Sequence, residues 1–90
     1  MVVAQRYLIS GRVQGVGFRL FAEDVAHREG VNGFVRNLGD GRVEALVEGD
    51  REAVERFEMA IWQGPRGARV DEVEVAAVPP SGRMGFLIRG

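Results

Sequence analysis

The spacing of apolar residues changes period across Gly11–Arg19 (GRVQGVGFR), and this switch restricts the fold more than any other stretch of the 90-residue chain. On its N-terminal side, Val2–Ser10 carries β-branched residues and sets Tyr7 and Ile9 on one face, as a strand does. On its C-terminal side, Phe18, Phe21, Ala22, Val25 and Ala26 follow helical spacing, and Gly30 stands where a helix end is capped. A strand that feeds a helix through glycines at 11, 15 and 17 aims several backbone N–H groups at one spot. That arrangement suits an anion, and phosphate in particular.

The remaining elements follow in an order that selects one architecture. Val31–Asn37 and Val43–Glu48 read as strands, the second alternating Val43, Ala45 and Val47 against Glu44, Leu46 and Glu48. Gly39-Asp40-Gly41 between them is a hairpin signal. Asp50 is placed to cap a second helix, whose buried stripe is Val54, Phe57 and Ile61 with Ala53 and Ala60 beside it, and Gly64-Pro65 ends that helix. A fourth strand spans Arg69–Val78, Pro79-Pro80-Ser81-Gly82 turns the chain, and Gly85–Arg89 is a short last strand. The order β-α-β-β-α-β with an extra C-terminal strand predicts an α+β, ferredoxin-like sandwich over residues 1–90 as a single domain, its mainly antiparallel sheet carrying two helices on one face. The first loop and the turn after Asn37 then share one end of the sheet. Trp62 and the phenylalanines are expected in the core.

Composition removes several function classes. Net charge is −1, without the basic excess of a general polyanion binder, so no nucleic-acid partner is expected. The absence of cysteine excludes disulfides, thiol nucleophiles and thiolate metal sites, and fits a reducing cytoplasm. All 12 basic residues are arginine, which excludes Schiff-base chemistry and a lysine-dependent phosphate loop; a GC-rich coding sequence or a thermophilic source accounts for that usage. The N-terminal run MVVAQRYLIS is too short for a membrane span or signal peptide.

Candidate groups for chemistry are few. Gln14, Gly15, Val16, Gly17 and Phe18 each offer a backbone N–H to an anion, although a tight strand-to-helix turn would need the same glycines. Arg19, in the first helical turn, is either a solvated charge or a guanidinium closing over a tetrahedral oxyanion. Asn37, at a strand end, is either a turn former or an amide that holds a water. His27, Glu23 and Asp24 read as solvated helix surface, and Ser10 and Ser81 lack a histidine partner. No metal site is visible and no cofactor is expected.

Together, GRVQGVGFR at 11–19 and GFVRNLGDGRVEALVEGD at 33–50 closely resemble the acylphosphatase family, with supporting similarity at Gly64-Pro65, Ala68-Arg69-Val70 and Phe86-Leu87-Ile88. Arg66, where the family often has a second proline, and Ser81–Gly85 depart from the pattern, away from both blocks. The resemblance implies hydrolysis of a carboxyl-phosphate anhydride to carboxylate and inorganic phosphate by attack of water. Arg19 and the amides of Gln14 to Phe18 would hold the phosphate, and Asn37 would position the water. The implied partners are a small acyl phosphate and product phosphate, with neither nucleic acid nor membrane, and a monomer is expected. Two other readings stand beside this one. Gly33-Phe34-Val35 faintly resembles part of an RNA-binding sheet; the third reading keeps the fold as a catalytically idle regulatory or partner-binding domain, and the same fold with this motif also occurs as a segment of larger carbamoyl-transfer maturation proteins.

Overall fold

The computed structural model describes residues 1–90 as β1 (Val2–Arg12), α1 (Phe18–Glu29), β2 (Asn32–Asn37), β3 (Val43–Asp50), α2 (Arg51–Gln63), β4 (Arg69–Val78) and β5 (Phe86–Arg89). The strands form one sheet in the order β4-β1-β3-β2-β5. Neighbours run antiparallel except β2 and β5, which are parallel. This is the ferredoxin-like arrangement expected from the element order, and the extra strand lies at the β2 edge.

The register explains why the sheet has a greasy and a polar face. Tyr7 pairs with Ala45, which pairs with Val35, and Ile9 pairs with Val43, so inward residues form continuous rows across the centre. α1 covers β2 and β5, and α2 covers β1 and β3. Phe18, Ala22 and Val25 of α1 and Val54, Phe57 and Ile61 of α2 meet those rows in a single core. Each larger aliphatic or aromatic side chain buried there contributes about 1.5–3 kcal/mol. Gly30 ends α1 in a left-handed conformation, and the next N–H, from Val31, reaches back to the Ala26 carbonyl at 3.0 Å.

Two expectations change, at Trp62 and Asp50. Trp62 is not core: it is 45% exposed, because Ile61 takes the inward position in the last turn of α2. In β4 only Val73 is buried, and Val75 and Ala77 stay exposed because this strand is the sheet edge. Asp50 stands at the N-cap of α2 but makes no side-chain cap bond; its carboxylate takes the N-terminal ammonium at 3.3 Å instead.

The outer sheet face is also covered, in a way that strand alternation alone does not announce. β4 ends at one edge and β5 starts at the other, so residues 79–85 cross over the strands between them. Glu48 of β3 pins this strap by accepting Ser81 N–H at 2.8 Å and Gly82 N–H at 2.6 Å. Arg83 in the strap and Arg89 of β5 lie over the Phe34 ring at 5.3 and 4.5 Å. Beside them Glu44 accepts the Nε–H groups of Arg6 and Arg36.

Candidate active site

The β1–α1 connection is built so that its backbone faces outward. Val13 is buried and Val16 packs against the core, which fixes the foot of the loop. Gly15 (φ 74°) and Gly17 (φ 76°) take left-handed conformations, and a Cβ on either would meet no protein atom within 4 Å. The glycines are therefore required by backbone shape, while the space beside them stays open. No backbone N–H from Gln14 through Leu20 has a protein acceptor; the first bond in the helix is Phe21 N–H to Gly17 O at 3.0 Å. Any helix start leaves such donors at Phe18 to Leu20, and this loop adds those of Gln14 to Gly17 in front of them.

The hairpin after β2 is tied to that loop by one side chain. Gln14 Nε2 donates to the carbonyls of Leu38 at 2.8 Å and Arg42 at 2.9 Å. The hairpin braces itself through Leu38 N–H to Arg42 O at 2.8 Å and through Arg42 N–H to Asp40 Oδ1 at 3.1 Å. That backbone bond, with the Arg42 guanidinium, holds the Asp40 carboxyl below its usual range, so the turn is charged and set at neutral pH.

These ties place Asn37 opposite the loop. It is the last residue of β2, and its Oδ1 is buried with no hydrogen-bond partner. A buried acceptor left without a donor costs about 1–3 kcal/mol, and with no protein donor in reach this one is completed by a water or a ligand. Arg19 stands half-buried in the first turn of α1, and its Nη1 donates to the Arg89 carbonyl at 3.0 Å. A carbonyl anchors the guanidinium without neutralising it, and the remaining N–H donors stay available.

Arg19, Asn37, Gly15 and Gly17 line one pocket of about 140 Å³, with Val13, Phe18 and Leu20 as its apolar wall. The two glycine-rich blocks thus converge, and Gln14 and Val16 belong to the same loop. His27 and Asp24 are exposed, Glu23 and Ser10 half-buried, and none of these lines the pocket. Sequence reasoning missed two residues. The sequence singles out Gln14 for its backbone N–H and not for its side chain, and it does not single out Leu20, whose signal is a leucine on the face of α1 opposite Phe18, Ala22 and Val25. A larger cavity of about 360 Å³ lies at the other end of β1, between Val2–Gln5, the start of α2 and the end of β4. Its mostly aliphatic lining, with Gln5, Arg51 and Glu55 as the polar members, shares no residue with the loop.

A family model described as Acylphosphatase matches residues 5–88. Among curated proteins, an acylphosphatase of Anaeromyxobacter dehalogenans is 56% identical over 88 residues, covering 97% of this chain and 95% of its own. One from Pseudomonas paraeruginosa is 53% identical over 81 residues, covering 90% and 89%. Among solved structures, the acylphosphatase from Bacillus subtilis superposes with a TM-score of 0.95 at 36% identity, covering 100% of both chains.

Proposed function

The chain belongs to the acylphosphatase family and hydrolyses acyl phosphates, and from that premise we propose which of its groups carry the reaction. The phosphate lies in the pocket with its oxygens on the N–H groups of Gln14 to Phe18 and on the Arg19 guanidinium. Asn37 Oδ1 accepts one O–H of a water, turning the water's lone pair toward phosphorus. The new P–O bond forms as the bond to the bridging oxygen breaks, and the carboxylate leaves with that electron pair. A phosphate oxygen takes the water's proton. A carboxylate is a good leaving group, so positioning and charge stabilisation suffice, and phosphoryl transfer draws most of its acceleration from those two effects.

The observation that carries this reading is the convergence of groups of opposite kind on one small pocket: unpartnered N–H donors and the un-neutralised Arg19 guanidinium for an anion, and the Asn37 acceptor, without a protein donor, for a water. The direct test is benzoyl phosphate hydrolysis in excess EDTA by the native protein and by Arg19→Ala. Turnover that survives EDTA and falls by at least about 10³-fold in the variant, with loss of inhibition by phosphate, is the expected outcome. Retained turnover in Arg19→Ala would sink the assignment. A large solvent isotope effect with a single basic pKa near neutrality would count against proton transfer to phosphate. We also propose that the enzyme is a cytoplasmic monomer, in keeping with its cysteine-free composition and small size. Sedimentation equilibrium at micromolar concentration tests the oligomeric state.

A further inference from the structure

We infer that Leu20 forms the acyl-side wall of the pocket and biases the enzyme toward acyl phosphates with uncharged, apolar acyl groups; this rests on the phosphate placement given above. Leu20 is 62% exposed, although it lies in a helix whose Phe18, Ala22 and Val25 are fully buried. At 100° per residue it points directly away from that stripe, so it gives nothing to the core. Yet it lines the pocket beside Arg19 and Asn37. Its two apolar companions in the lining, Val13 and Phe18, are each 1% exposed and form the floor. Once phosphate occupies the donors of the loop, Leu20 is the apolar side chain left at the mouth, where the acyl substituent must emerge.

Charge points the same way. Arg19 is the sole charged residue in the lining, and the phosphate claims it. No second cation lines the pocket to receive a carboxylate or phosphate on the acyl group. Glu23 and Asp24 follow Leu20 by three and four residues, which places them on its side of α1, where they repel such a group. A benzoyl or alkanoyl chain instead covers the Leu20 methyls and removes apolar surface from water.

The test compares kcat/KM for benzoyl, acetyl and succinyl phosphates in the native protein, Leu20→Ser and Leu20→Arg, with the inhibition constant for inorganic phosphate measured on the same preparations. The native protein should favour benzoyl over acetyl and disfavour succinyl phosphate. Leu20→Ser should reduce the benzoyl-to-acetyl ratio about fivefold, as expected for loss of one partly covered aliphatic contact. Leu20→Arg should raise the succinyl-to-acetyl ratio. A benzoyl-to-acetyl ratio unchanged in Leu20→Ser overturns the acyl wall and leaves the phosphate cradle standing. Phosphate inhibition weakened together with all three substrates also overturns it, by placing Leu20 in the cradle. The Arg19→Ala comparison reads the cradle separately, so the two failures are distinguishable.

Discussion

The hairpin between β2 and β3 carries two buried acceptors on adjacent paired positions, and the fold treats them in opposite ways. Arg36 pairs with Glu44 in the ladder, and Asn37 pairs with Val43 one step on. Glu44 is saturated: its two oxygens receive Arg6 and Arg36, each at 2.5 Å. Asn37 Oδ1 receives nothing. Glu48, four residues beyond Glu44 on the same face, is likewise saturated by the strap. On the outer sheet face the chain completes every buried carboxylate from within. At the loop end it leaves both donors and an acceptor open. Completed groups stabilise the fold, whereas open ones hold free energy in reserve for a ligand.

The largest effect that bears on this contrast is expected at Asn37, beyond the Arg19 test described above. Asn37→Ala should lower kcat about 10²–10³-fold, the size of removing one well-placed polar group from a reacting centre. Inorganic phosphate should still inhibit, because the cradle is intact. Thermal stability should hold or rise, since the substitution deletes an orphaned acceptor. If phosphate inhibition disappears as well, Asn37 belongs to the phosphate site or to the fold, and the contrast with Glu44 fails.

The open region was the more legible of the two, for a physical reason. Its parts are local: glycines that need positive φ, an arginine in a first helical turn, an asparagine closing a strand. Each is visible within a few residues of chain, and the element boundaries around them lie within two residues of expectation. The completed region depends on long-range order. Alternation in β3 puts Glu44 and Glu48 on the face away from the helices, and a local reading leaves them in solvent. Their burial follows from β4 and β5 occupying opposite edges, which sends the strap across that face. Trp62 failed for a different reason: the helical spacing that sets Ile61 inward turns its neighbour about 100° away, and only its residue type places Trp62 in the core. The Gln14 side chain could not be placed until the hairpin carbonyls of Leu38 and Arg42 were positioned.

Gln14 joins the two segments of the open region, so its loss should have an intermediate effect. Gln14→Ala removes both bonds between the loop and the hairpin. Asn37 then loses its register with the cradle. A displacement of this kind should lower kcat about tenfold and weaken phosphate inhibition by a smaller factor. Asn37→Ala and Gln14→Ala should also be non-additive in kcat, because the second residue works through the geometry of the first. Additive losses in the double variant would mean that Gln14 acts on the loop alone.

The smallest effect should come from the completed region and should appear in stability rather than in rate. Burial pushes the Glu44 carboxyl up, but the hydrogen bonds and charges of Arg6 and Arg36 outweigh it and hold the group below the usual carboxylate range. A carboxyl depressed by folding contributes stability that is fully present above its unfolded pKa and is lost as pH falls through the folded one. Glu44→Gln should therefore be less stable than the native protein at pH 7, by about 1 kcal/mol because both arginines remain partly solvated. The gap should narrow as pH falls from the ordinary carboxylate range through the lower folded value, where native Glu44 becomes protonated. Glu29, Asp40, Glu48 and Asp71 are also depressed and shape the acid limb of both proteins, so the difference between the two curves is the quantity to follow. Hydrolysis of benzoyl phosphate at 25 °C should stay within about twofold, as for other changes remote from the pocket. A large loss of rate with little change in stability would instead tie the outer face to the chemistry, and the division between open and completed regions would not hold.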